Sequence, residues 1–404
     1  MRKICLTVVG LYLMMLHAFS QYSAKDTTVY QPRPLKIDEI NLVSSYYTQD
    51  GIHSAVTGGT GSEKVTDLAN MLDIKWIGYD GQHRKNTLTA GIGIDHHTSA
   101  SQAWVNKSGA SQTGGTRVYP SLNWNIENEQ KGTGFGLGAY YSTEYNYQSF
   151  GLDAEFSKKT NNNGEFSTRL TGYFDKVKLI YPSELIPTTN TVSSASSGRD
   201  GHHANIPSSP RYTYTASFSF SQVINQRLQA SVSADLVAQN GYLGLPFHRV
   251  YFNTGADAVE SLPGNRFKLP VGLRLNYFLG DNIIVRSYYR YYTDSWGIKA
   301  HTASLEVPVK ITPFFSVSPF YRYYVQTAAN YFAPYGQHTT QDNYYTSNYA
   351  LSGFSSQFFG GGIRIAPPKG IFGTHLGALE IRYGHYTQTT DLMSDVISVN
   401  LKFK

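Results

Sequence analysis

A strict two-residue alternation constrains this chain more than any other feature. Between Tyr212 and Phe220 (YTYTASFSF) every even position is apolar or aromatic, and every odd position between them is a small hydroxyl. Successive side chains on a strand point to opposite faces, so such a stretch has one greasy and one wet face. The pattern returns about sixteen times, near 39–48, 65–78, 86–97, 116–127, 133–143, 148–158, 164–176, 211–223, 227–239, 266–279, 282–292, 297–310, 314–326, 354–366, 377–388 and 394–404. Repeated over so many segments of ten residues or more, it predicts a transmembrane antiparallel β-barrel of about sixteen strands, fourteen to eighteen being the compatible range.

The links between segments agree with that reading. Short, turn-rich links such as 128–132, 158–164 and 280–282 alternate with long ones at 49–64, 98–115, 179–210, 240–265 and 327–353, although three alternate links, near Tyr145, Thr293 and Thr390, are also short. Barrels of the outer membrane have short periplasmic turns and longer external loops. Aromatics gather near strand ends, as in Tyr288–Tyr292 and Tyr321–Tyr324, where interfacial girdles are expected. Tyr and Phe number 32 and 21 while charged residues make up only 15%, against about 25% in soluble domains. A soluble sandwich is disfavoured by the strand length, the aromatic ends and this composition.

The N-terminus reads as an export signal. Arg2 and Lys3 precede the apolar run Ile4–Leu16, and Ala18-Phe19-Ser20 is a small-residue cleavage pattern. The expected organisation is a signal peptide at 1–20 cleaved near Ser20/Gln21, a periplasmic leader at 21–38 and a barrel at 39–404, in the outer membrane of a Gram-negative bacterium. Cys5, the single cysteine, lies inside the signal, which leaves a mature chain without disulfides or thiolate chemistry. A net charge of +6 without a basic run argues against nucleic acid as a partner.

Parity also sorts charges by face. If the apolar parity meets lipid, Asp73, Asp95, Glu127, Asp153, Glu155, Asp175 and Asp235 point inward from the first half, opposed only by Lys75 and Arg169. Arg274, Arg286, Arg290, Arg322, Arg364 and Arg382 point inward from the second half, against Glu306 and Glu380. An acidic arc facing a basic arc would set up a transverse field that orients dipolar solutes. The alternative is local ion pairing that merely fills the barrel.

Other chemistry is weaker. Two acid-plus-histidine-pair sites, at His96 and His97 and at His202 and His203, could bind a metal ion, but no fixed ligand set accompanies them. His248, His301 and His385 read as strand-end interfacial anchors. Gly58–Gly61 lacks the Lys-Ser/Thr of a phosphate loop, and no Gly-x-Ser-x-Gly turn is present. Catalysis and bound cofactors are therefore not expected; a rim hydrolase or metal site is the low-ranked alternative.

Several blocks carry a resemblance. Tyr46–Glu63 (YYTQDGIHSAVTGGTGSE), Pro246–Phe252 (PFHRVYF), Arg286–Thr302 and Ala366–Gly373 (APPKGIFG) resemble recurring segments of an outer-membrane family catalogued as domain of unknown function DUF3570. The resemblance implies an exported barrel without an established activity, and it supplies no catalytic residues. It draws attention to the loop 49–63, read here either as a constriction folded into the mouth or as an external loop. The leading functional reading is passage of a small polar solute by diffusion. Second comes a non-conducting barrel that displays loops for adhesion or docks an envelope partner, and third a barrel enzyme.

Overall fold

The computed structural model describes residues 32–98, 114–185 and 206–404. The proposed signal, most of the leader and the pair His202 and His203 lie outside the described residues. The strands are β1 (Arg33–Asp50), β2 (Val65–Tyr79), β3 (Lys85–His97), β4 (Gly115–Asn128), β5 (Thr133–Glu144), β6 (Tyr147–Lys159), β7 (Gly164–Lys178), β8 (Ser208–Asn225), β9 (Leu228–Gly241), β10 (Arg249–Tyr251), β11 (Asp257–Val259), β12 (Asn265–Leu279), β13 (Ile283–Asp294), β14 (Lys299–Glu306), β15 (Val309–Thr312), β16 (Phe315–Gln326), β17 (Phe354–Ile365), β18 (Leu376–Gln388) and β19 (Leu392–Phe403).

All strands except β10 and β11 join one antiparallel sheet, and β1 pairs with both β2 and β19, so the sheet closes on itself. Pro308 has no N–H to give and interrupts one stave into β14 and β15, while Val307 N donating to Pro319 O at 3.0 Å keeps it aligned. Counted as one stave, these two make a barrel of sixteen strands. β10 and β11 form a separate hairpin in the external loop between β9 and β12. The first strand starts earlier than the sequence suggests: Arg33–Asp38, expected in the leader, already belong to β1, with Arg33 stacked over Tyr79 at 4.2 Å.

Parity decides the two surfaces. Leu122, Trp124, Phe135, Leu137, Phe150, Leu152, Phe218, Phe220, Val232 and Leu236 all project outward and are exposed. An exposed apolar belt on a closed barrel, with every backbone group paired between strands, is the arrangement a bilayer requires. Among the described residues no helix is long and apolar enough to cross a membrane. The seam is sealed by Ile40 of β1 facing Phe403 of β19, both nearly inaccessible, with Leu72, Ile74 and Leu401 packed around them.

The aromatic cluster Tyr288–Tyr292 divides between the surfaces. Tyr289 and Tyr291 face outward beside His301, with Tyr289 Oη 2.7 Å from His301 Nδ1. Tyr288 and Tyr292 face the lumen, under Arg274 and against Asp294 respectively. His385 is likewise on the outer face, 2.8 Å from Asp395, beside Tyr383. A pleated strand cannot present adjacent residues to one surface, so only half of each aromatic run can serve as girdle.

Candidate functional site

The lumen is lined by charged side chains, several of them half-exposed. Register puts all thirteen charged residues expected to line it on the inward parity: Asp73, Asp95, Glu127, Asp153, Glu155, Asp175 and Asp235 on β2–β9, and Arg274, Arg286, Arg290, Arg322, Arg364 and Arg382 on β12–β18. The Arg364 and Arg286 side chains are 52% and 48% exposed and that of Glu127 45%. Groups inside a closed barrel reach such values only where open space a water molecule could enter lies beside them.

The two arcs are not balanced as the sequence suggests. Lys85, Arg117 and Arg211 also point inward on the acidic side, in addition to Lys75 and Arg169. Lys85 lies 3.9 Å from Glu127 and Arg211 2.9 Å from Asp175, while Arg169 is bonded to Glu155 and lies 3.7 Å from Asp153. Four of the seven carboxylates are thus paired in place, while among the described residues Asp73, Asp95 and Asp235 pair with no cation. These three cations were missed because each stands at or near a strand end, where parity was not carried through.

On the other arc the cations are in excess. Arg286 and Arg382 share Glu306 at 3.4 and 2.8 Å, and Arg364 and Arg382 share Glu380 at 4.0 and 3.2 Å. Arg274 stacks on Tyr288 and Arg322 on Phe358. Among the described residues neither these two nor Arg290 pairs with a carboxylate. The wall of β12–β18 therefore carries cations in excess of its carboxylates, while β2–β9 keep inward carboxylates that pair with no cation among the described residues.

The outer mouth is spanned by interlocked loops. The loop after β1 and the loop after β9 lie on opposite sides of the ring, with eight barrel strands between them in each direction. Even so, Arg249 Nη1 donates to Val56 O at 2.7 Å, and its Nε donates to Glu184 of a third loop at 2.6 Å. Two diametrically opposed loops can meet only over the barrel axis. The loop 327–353 ties in through His53 stacked on Tyr349 at 3.7 Å and through Thr346 donating to Glu260. Val250, Thr346 and Ser347 are almost wholly buried, so this lid has a packed centre of its own.

The loop 327–353 is bonded to the inner wall. Gln326, on the inner wall, donates through Nε2 to Ala350 O and Ser352 O at 3.1 and 2.6 Å. Ala350 and Leu351 line a cavity with the inward residues Arg266, Arg290, Tyr292, Thr302 and Tyr324. The loop 49–63 instead joins the lid. Burial there raises the Glu63 carboxyl above its usual range, opposed by the His53 backbone N–H and ring. Asp342 behaves oppositely: the Thr339 N–H, then the His338 ring, hold its carboxyl below the usual range.

The histidine sites separate. His96 and His97 are neighbours on β3 and so face opposite ways: His96 Nδ1 lies 2.9 Å from Thr116 Oγ1 on the outer side, and His97 Nε2 3.1 Å from Glu144 on the inner. They cannot hold one ion together, and no cluster of three metal-ligating side chains occurs among the described residues. His248 is not an interfacial anchor; it is buried in the lid, 3.6 Å from Glu260.

A family model described as a protein of unknown function (DUF3570) matches residues 82–393. No curated protein matches the sequence. Solved structures with a similar course include the siderophore receptor PirA from Acinetobacter baumannii, at 10% identity over 86% of this chain and 53% of the receptor, with a TM-score of 0.44. The chain thus spans about half the length of that receptor. OccK1 (OpdK) from Pseudomonas aeruginosa matches at 7% identity over 90% and 97% of the two chains, with a TM-score of 0.39. A BenF-like porin from Pseudomonas fluorescens Pf-5 matches at 8% over 91% and 98%, with a TM-score of 0.40.

Proposed function

The chain belongs to the DUF3570 family of outer-membrane β-barrels of unknown function, and from that premise we propose that it is a lidded, porin-like channel for small polar solutes with a preference for anions. The observation that carries this reading is the half-exposed state of inward arginines such as Arg286 and Arg364. Charges kept hydrated inside a low-dielectric wall lower the barrier for a solute of opposite sign. The unmatched Arg274, Arg290 and Arg322 set that sign. The lid over the mouth makes loop movement the step that admits solute.

Single-channel recording of the purified protein tests this. Discrete conductance steps that persist longer when the lid is loosened support a gated pore. The second reading, a barrel that displays its loops to a partner, draws on the packed lid. It is favoured if folded protein conducts nothing in either form and a partner binds in a way that depends on the lid. Export through a signal peptide, residence in a Gram-negative envelope and absence of catalysis belong to the same proposal.

A further inference from the structure

We propose that the lumen carries a saccharide-binding subsite on the wall formed by β4–β9. A cavity of about 620 Å³ opens there, within the size range of small-molecule sites. Four inward tyrosines from four successive strands, Tyr119, Tyr140, Tyr147 and Tyr173, line it.

Glycines opposite two of these rings determine how they lie. Gly93 is the register partner of Tyr119, and a Cβ at Gly93 would stand 1.9 Å from the Tyr119 ring. Gly151 sits between Tyr140 and Tyr173 in register, and a Cβ there would meet the Tyr173 ring at 2.7 Å. Each ring therefore rests on the backbone of the neighbouring strand, one face against the wall and the other toward the lumen. The hydroxyls are spent on the wall: Tyr119 donates to Asp95 at 2.7 Å and Tyr140 to Asn123 at 3.0 Å. The rings are fixed in place; Arg117 stands 4.9 Å over the Tyr119 ring, so a solute there meets a ring face together with a guanidinium.

Around these faces stand hydrogen-bonding groups of both kinds. Arg117 is held by Ser142 at 2.8 Å, and Arg211 by Asp175 at 2.9 Å while lying over the Tyr147 ring. Ser149 also donates to Asp175, and Gln239 reaches Thr213. The positive and negative groups here nearly cancel, unlike the opposite wall. A sugar ring matches that combination, because it offers C–H faces for stacking and several hydroxyls that both donate and accept. A simple anion would be drawn instead to the unmatched arginines.

The inference deepens the channel reading and rests on solute reaching the lumen, but not on ion conduction. Saturation-transfer NMR on folded, detergent-solubilised protein with glucose and cellobiose separates the two. Transfer to the ring C–H protons is expected, with binding about fivefold weaker in Tyr119→Ala and Tyr173→Ala. Tyr288→Ala on the opposite wall should bind as the parent does. No transfer from folded protein overturns the inference even if the pore conducts. So does equal binding by Tyr119→Ala and Tyr173→Ala, or transfer to benzoate alone.

Discussion

Arg382 Nη2 lies 2.8 Å from Glu306 Oε1, although β16 and β17 run between their strands. Side chains with two strands between them converge only on the concave side of a curved sheet. Gly360 and Gly362 leave the intervening wall bare, and a Cβ at Gly362 would approach Arg382 Cγ to 3.0 Å. One glutamate thus serves Arg382 and Arg286 from opposite sides.

Glu306→Gln removes the anion those two arginines share, leaving Arg286 without a carboxylate and Arg382 with Glu380 alone. The expected result is a rise in anion-over-cation permeability of about twofold, read from reversal potentials at low salt, where fields in the lumen are least screened. Arg382→Gln should move the ratio the other way.

The alternation itself can be tested on β8. Phe218→Arg puts a charge on the lipid face near the middle of the strand and should cost about 2–4 kcal/mol of folding stability in vesicles. Thr215→Arg faces the lumen, between Thr171 and Val237 in register, and should cost less than about 1 kcal/mol. Equal losses would mean that the two faces are wrongly assigned.

Arg249 is buried and joins Val56 to Glu184, fastening three loops over the axis. Arg249→Ala should loosen the lid by about 2–4 kcal/mol, because it leaves a carbonyl and a carboxylate without their shared donor. Hydrogen exchange should quicken in 51–64 and 327–353 while β1–β9 keep their protection.

The lid should also respond to pH through Glu63. Its folded pKa lies above the usual 4.5, so the folded lid takes up a proton more readily than the open one. That contribution is complete below the open-state value and fades as pH rises through the folded one. Protection of 51–64, corrected for intrinsic exchange, should therefore rise as pH falls into the carboxylate range. In Glu63→Gln this rise should vanish. Asp342, with its lowered pKa, contributes with the opposite sign, so Asp342→Asn in the Glu63→Gln background should flatten what remains.

The sequence disclosed the staves because lipid on one side and water on the other impose a period on every strand. The boundaries of β2 and β5 were legible to within about a residue for that reason. What stayed hidden depended on distance in the chain. Val56 and Arg249 are 193 residues apart, and nothing local in the Gly-rich segment 58–61 says that it will be pinned over the axis. The cations within the acidic arc were hidden for a smaller reason: Lys85, Arg117 and Arg211 lie at or near strand ends, where the apolar pattern weakens and inward parity is hard to assign. Pro308 lies inside the stretch 297–310 read as one strand, and although it breaks the ladder the two halves of that stave remain in line.

The central claim is a hydrated lumen whose sign is set by unmatched arginines. Reversal potential across a salt gradient, for the parent and for Arg286→Glu/Arg290→Glu, tests it most directly. The account predicts an anion-selective parent and a shift toward cations in the double variant, with the pore open in both. Unchanged selectivity through an open pore, or a folded parent that never conducts, would contradict it.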